Sequence, residues 1–183
     1  MTAEEYLARE RLAEVKSEFI DGQVYAMSGA SRAHNLVAAN CAREIGNRIA
    51  DVPCELYIAD MRVKISRQGN YVYPDLTIVC GEPRFEDDIF DTLINPTVVV
   101  EILSPSTASW DRAGKFVNYR SVESLREYIL IAQDEVRVER FERHGADWTL
   151  REWTDLEASL RVESIAREIP LREIYLKVSF KNS

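Results

Sequence analysis

Two apolar, β-branched runs in this 183-residue chain each carry an acid. The first, YVYPDLTIVCG, holds Asp75, and the second, NPTVVVEILSPST, holds Glu101. An ionised carboxylate in the middle of a buried strand is costly unless a cation or hydrogen-bond donors offset it. A chain that keeps two, on neighbouring strands, must fold so that compensating charge meets them. The segment that follows, WDRAGKFVNYR, has a helical pattern with Asp111, Lys115 and Tyr119 spaced four apart on one stripe. Two such acids with a lysine close by suggest a metal site.

The remaining elements follow in order. Residues 3–15 read as a short amphipathic helix with Tyr6, Leu7, Leu12 and Val15 as its stripe. Phe19–Ile20 and Val24–Met27 flank Asp21-Gly22, the dipeptide a two-residue hairpin turn prefers. Glu18 opens that hairpin and reads first as a solvated strand-end acid. Residues 31–50 are the clearest helix, capped by Ser31, with Leu36, Val37, Ala39, Asn40, Ile45 and Ile49 on and around one face. His34 and Glu44 lie on it too, and a histidine in a first turn is usually a surface or capping residue.

Residues 54–65 and 71–80 are strands joined by a turn at Gln68-Gly69-Asn70. Met61, Val63 and Ile65 alternate with Arg62 and Lys64, the pattern of a half-buried strand. Pro74 donates to no ladder and so implies a bulge or edge position directly before Asp75. Residues 81–93 are acidic and turn-rich, a mobile loop on this reading. Thr97 to Leu103 form the strand of Glu101, and SPST ends it. A helix over 109–121 places Ala113, Phe116 and Val117 toward the core. Residues 127–132 and 136–141 flank Asp134-Glu135 as a hairpin, and 148–153 continue the meander. Short β-like pieces and a turn of helix around Pro170 fill 156–180. The absence of linkers and repeats makes residues 1–183 a single domain.

Composition narrows the function classes. Hydrophobic content of 46% and charged content of 30% suit an ordinary globular protein with a sizeable core. With 23 basic and 31 acidic residues the net charge is −8, which does not suit coating nucleic acid by charge alone. It leaves room for an enzyme with a local basic rim. Cys41, Cys54 and Cys80 are widely spaced, no CxxC pair occurs, and His34 and His144 are the only histidines, so a structural zinc site is disfavoured. The charged N-terminus lacks the apolar core of a signal peptide, and no apolar run is long enough to span a membrane. These features point to a reduced, cytoplasmic protein.

Hard cations such as magnesium take oxygen ligands, usually one or two carboxylates with water and substrate phosphate. Asp75 and Glu101 on one face would supply them, and Lys115 would orient water and neutralise the transition state. Pro74-Asp75 followed by Glu101 in an apolar strand resembles the PD-(D/E)XK nuclease superfamily. More narrowly, FIDGQVYAMSG, VYPDLTIVCG, VVVEILSPST and DRAGKFVNYR are similar to segments of the Uma-two (Uma2) family of restriction-endonuclease-like proteins, from about Glu4 to Leu176.

That resemblance implies an α/β fold: a mixed sheet of about five strands flanked by helices, with an N-terminal β-hairpin and a C-terminal β-meander. It also implies a metal-dependent endonuclease that hydrolyses phosphodiester bonds of DNA, with Mg2+ or Mn2+ held by Asp75 and Glu101. The superfamily pattern places its lysine two residues after the acid, where this chain has Leu103, so the role passes to Lys115 on the helix. Glu18 matches an acid that the family carries ahead of its Asp-Gly turn, as a further ligand or water-bridging group. Tyr119 supports the site, and Asp111 orients Lys115 or favours the helix N-terminus. Double-strand cutting and common two-fold symmetry imply a homodimer. Two alternatives stay open beside the enzyme: Glu101 paired with Lys115 as a purely structural ion pair, and a catalytically inactive nuclease-fold module for dimerisation or partner binding. Net charge and the lack of any basic cluster favour the latter.

Overall fold

The computed structural model describes residues 1–66, 69–105 and 108–180. The chain opens with α1 (Ala3–Glu10), β1 (Ser17–Ile20), β2 (Gln23–Ala26) and the long α2 (Arg32–Ile49). Then come β3 (Cys54–Ile58), β4 (Arg62–Lys64), β5 (Tyr71–Val72), β6 (Leu76–Cys80), β7 (Thr92–Leu93) and β8 (Val98–Leu103). A continuous helical segment follows: α3 (Ala108–Trp110), a π-helical turn over Asp111–Lys115, and α4 (Phe116–Tyr119). The chain continues with β9 (Glu127–Ala132), β10 (Val138–His144), β11 (Asp147–Trp153), β12 (Ser159–Val162), β13 (Arg167–Pro170) and α5 (Leu171–Ile174).

The fold is mixed α/β. Six strands form the main sheet in the order β11-β10-β9-β8-β6-β3, and five form a second in the order β2-β1-β5-β4-β7. In the main sheet β8 and β9 run parallel and the other neighbours antiparallel. The helical segment after β8 is the crossover that a parallel pair requires. β8 is central and buried along its whole length, which is why VVVEIL reads as a continuous run rather than an alternation. One face of the main sheet packs Ile78, Val100 and Ile129 against Val37, Cys41 and Ile45 of α2. The other face packs Val79, Val99 and Leu103 against Val63, Val72 and Leu93 of the second sheet, with Tyr119 of α4 beside them.

The N-terminal hairpin forms as the sequence predicts. Asp21 and Gly22 have φ of 50° and 82°, the doubly positive pair of a type I′ turn, and Phe19 pairs with Val24. Ser31 caps α2, its hydroxyl accepting from the His34 amide. Pro74 interrupts its strand, as expected: β6 pairs with β3 in the main sheet while β5 pairs with β4 in the second. One long hairpin thus bends from sheet to sheet, and Asp75 sits at the bend, its carbonyl accepting from Ala59 N at 3.0 Å.

Several expectations fail, each for a tertiary reason. α1 stops at Glu10, and Leu12 and Val15 are 88% and 64% exposed, because nothing packs over the second half of their stripe. The main sheet, at six strands, agrees with the expected size of about five, but the separate five-stranded sheet was not expected. Residues 81–93 are not simply a loop: Thr92 and Leu93 form β7 parallel to β4, and Arg11 and Arg62 hold Asp91 at 2.8 Å each. Arg62 is buried, in contact with Thr92 and Tyr73, rather than on an outer face. On the helix, Ala113 and Val117 point to solvent. Cys54 and Cys80 stand opposite each other in the β3–β6 register and form a disulfide, so the expectation of reduced thiols fails for that pair, while Cys41 is free and buried. Gln68 of the expected turn and Ser106 and Thr107 of SPST lie outside the described residues. Among the described residues no helix is long and apolar enough to cross a membrane.

Candidate active site

The β6–β8 register pairs Leu76 with Val100. Asp75 stands in the bend directly before Leu76, where its carboxylate reaches the β8 backbone beside Glu101. Asp75 is held on both oxygens: Oδ2 accepts from the Ile102 amide at 2.7 Å, and Oδ1 lies 3.2 Å from His34 Nε2. The site therefore joins the strand bend, the neighbouring strand and the first turn of α2.

The helix between β8 and β9 brings the cation. Its inward stripe is Asp111, Lys115 and Tyr119, all buried. Lys115 Nζ lies 2.9 Å from Glu18 Oε1, 3.3 Å from Glu101 Oε1 and 3.5 Å from Asp111 Oδ1. Tyr119 donates its hydroxyl to Glu101 Oε1 at 3.0 Å, and the Tyr73 amide donates to Glu18 Oε1 at 3.4 Å. Tyr128 on β9 anchors the helix backbone, donating to the Asp111 carbonyl at 3.1 Å. The π-helical turn spans Asp111 to Lys115, a distortion of the kind frequent at functional sites. Gly114 within it lets the Trp110 ring lie against the backbone: a Cβ there would stand 1.9 Å from that ring and displace it.

Electrostatics follow from this crowding. Glu101 is 5% exposed, and burial pushes its carboxyl well above the usual range. Lys115 pulls it down, while Asp111, Asp75 and Glu18 push it further up. Burial disfavours the Lys115 ammonium, but Glu101, Glu18 and Asp111 outweigh burial and hold it above the ordinary lysine value. Burial, then Glu101, raises the Tyr119 phenol, so it stays a donor. With all three acids ionised, they and the one lysine would carry a formal charge of 1 − 3 = −2. A buried surplus of this kind is relieved by a proton or by a bound cation.

The donor set fits a hard divalent ion, because the Asp75 and Glu101 carboxylates offer the oxygen atoms that such an ion takes, with Asp75 bonded to the backbone next to Glu101. Against a complete protein cage, no group of three His, Cys, Asp or Glu side chains suited to a metal occurs among the described residues. Magnesium sites commonly keep several waters and one or two carboxylates, so the two observations are compatible.

All six residues singled out from sequence come together here: Asp75, Glu101 and Lys115, with Glu18, Asp111 and Tyr119. Glu18, read first as a solvated acid, is instead buried against Lys115. Sequence reasoning undervalued His34: its place in the first turn was visible, but its contact with Asp75 depends on how α2 lies against the sheet. Gln133, just after β9, also escaped notice; it is buried and accepts from the Ser31 hydroxyl beside that same turn.

Residues 3–172 match the sequence model of the family Uma2, described as "Putative restriction endonuclease". Two proteins of Synechocystis sp. (strain ATCC 27184 / PCC 6803 / Kazusa), both named as uncharacterized, are similar to this chain. The protein sll1609 is 40% identical over 153 residues, covering 83% of this chain and 86% of its own length. The protein slr1290 is 32% identical over 183 residues, covering 98% of this chain and 94% of its own. Among solved structures, a "putative nuclease belonging to DUF820" from Anabaena variabilis ATCC 29413 superposes with a TM-score of 0.76 at 17% identity, over 96% of this chain and 97% of that one. At that identity the likeness is one of fold.

Proposed function

We propose that this chain, which belongs to the Uma2 family, is a metal-dependent endonuclease that hydrolyses phosphodiester bonds, with DNA as its substrate. The observation that carries this reading is the convergence of Glu18, Glu101 and Asp111 on Lys115, with Asp75 bonded to the Ile102 amide beside Glu101. A scaffold has no need to bury so much opposed charge in one place, since apolar residues of similar volume serve as well or better.

In this reading Asp75 and Glu101 hold Mg2+ or Mn2+. Bound there, the ion would lower the pKa of its water and steady the charge that builds on the phosphate. The Ile102 amide and His34 fix the direction of the Asp75 carboxylate, and Tyr119 fixes that of Glu101. Lys115, kept protonated by its acids, presents positive charge to the pentacovalent transition state and orients the attacking water. Glu18 restrains the ammonium at 2.9 Å. Cutting both strands of a duplex takes two such sites, and we place them in a homodimer, which sedimentation velocity tests directly.

Plasmid nicking in Mg2+ or Mn2+ is the decisive assay. Wild type should nick, and Asp75→Asn and Lys115→Met should each lose about 100-fold or more. A wild type inert with both metals, or variants as fast as wild type, would overturn the assignment. The other reading, a catalytically silent nuclease-fold module, draws on the same geometry, because Lys115 is already fully neutralised by acids and no three-ligand metal cluster occurs among the described residues. Calorimetry separates the two. Metal binding abolished by Asp75→Ala and by Glu101→Ala supports the enzyme; no binding even with an oligonucleotide present supports the module.

A further inference from the structure

The sequence contains no basic cluster, but the fold assembles one. Arg120, at the end of α4, Arg126, just before β9, and Arg143, on β10, come together around the 120–126 connection. Arg143 is the fixed centre: its Nε donates to Leu125 O at 2.8 Å, and its Nη2 donates to Arg120 O at 2.8 Å and Val122 O at 2.9 Å. Its guanidinium also lies over the Trp148 ring, 4.5 Å from the centroid. Arg120 lies over Phe116 at 5.9 Å. Burial, then Arg126 and Arg120, holds Arg143 below the ordinary arginine value, with Glu123 the acid that pulls the other way.

These arginines differ from most others in the chain. Arg11, Arg43, Arg48, Arg62, Arg140 and Arg167 all pair with carboxylates. Among the described residues Arg120 and Arg126 make no ion pair, and both are exposed. Unneutralised cations crowded together in a chain of net charge −8 carry a cost in mutual repulsion, and an anion removes it. Arg143 spends its Nε and Nη2 on backbone carbonyls and so fixes the face, while Arg120, over the Phe116 ring, keeps its guanidinium edge for bidentate contact with a phosphate. Beside the same connection runs a groove of about 390 Å³, lined by Ser66, Arg84, Glu123, Ser124 and by Lys64, which is paired with Glu86, among others. Arg84, exposed and without an ion pair among the described residues, adds a further cation of the kind that contacts phosphate oxygens.

We infer that the face formed by Arg120, Arg126 and Arg143 is a contact surface for the phosphate backbone of a nucleic-acid strand. The proposal rests on the endonuclease reading for the choice of polyanion, and adds where the strand is gripped. Contacts of this kind position a strand without reading its sequence.

Fluorescence anisotropy with a labelled DNA duplex, in EDTA so that nothing is cut, tests it across a salt series. Wild type should bind, with a log–log salt slope that Arg120→Gln/Arg126→Gln makes shallower by about two, near the 0.9 per phosphate contact of B-DNA. Affinity of the double variant at low salt should fall at least about tenfold, equally for unrelated sequences, with its thermal melt unchanged. Unchanged affinity and slope in the double variant would overturn the surface, as would a wild type that binds phosphatidylserine vesicles but no oligonucleotide. The nicking assay stays separate. Arginine-dependent binding without cleavage keeps this surface and removes the enzyme, while cleavage with binding indifferent to both arginines does the reverse.

Discussion

At the scale of the residue, Lys115 is where the molecule concentrates opposed charge. The residue is 6% exposed, and its ammonium faces Glu18, Glu101 and Asp111. Removing one partner of a buried ionic group leaves the others unpaired, at a cost of about 3–5 kcal/mol. Lys115→Met should therefore lower unfolding free energy by about that amount, read by urea denaturation at neutral pH. Adding Glu101→Gln to it should restore part of the loss, because one uncompensated acid disappears. An undiminished midpoint in Lys115→Met would mean that the acids are solvated rather than buried. Asp75, Glu101 and Lys115 were legible as individual letters because charged residues inside β-branched or helical patterns are conspicuous. Glu18 was half legible: its position before Asp21-Gly22 was plain, its burial was not. His34 was not legible as a partner of Asp75, since a histidine in a first turn looks the same whether it meets solvent or a carboxylate.

At the scale of the element, the 81–93 segment shows how ion pairs turn an acidic stretch into ordered structure. Asp91 accepts from Arg11 through both oxygens, at 2.8 and 2.9 Å, and meets Arg62 at 2.8 Å. The Arg11 hydrogen bonds, assisted by Thr92 and Arg62, hold its carboxyl well below the usual carboxylate range against the opposing effect of burial. A depressed acid contributes stability that is present above its unfolded value, near 3.9. That stability is lost as pH falls through the lower folded value. Asp91→Asn should thus be less stable than wild type at neutral pH, and the gap should close in strong acid. Denaturant midpoints followed from pH 6 down to pH 2 would show it, and a gap constant with pH would count against the pairing. The helix after β8 carries the opposite lesson. Its length and stripe followed from spacing, but its apolar positions suggested the wrong inward face, because Ala113 and Val117 face solvent while the charged stripe faces the sheet.

At the scale of the whole molecule, β3 and β6 are joined twice, by backbone pairing and by the Cys54–Cys80 disulfide. Reduction should lower stability by about 2–4 kcal/mol, seen as a melt that shifts with reductant in wild type and not in Cys54→Ser/Cys80→Ser. Identical melts with and without reductant would show that the link carries no stability. The same long hairpin that brings those cysteines together also bends at Pro74 and delivers Asp75 to Glu101. Local chemistry determined much of this from sequence alone. Asp21-Gly22 specifies its turn, Ser31 starts α2, Pro74 breaks its strand, and the β-branched run around Glu101 makes a fully buried strand, because each depends on the backbone preferences or side-chain period of adjacent residues. The division into six- and five-stranded sheets, the inward face of the helix, the cysteine pairing, the grip of His34 on Asp75 and the clustering of three scattered arginines were decided only by tertiary structure. Each is a contact between residues distant in the chain, where the favourable energy lies in the pair and neither letter alone announces it.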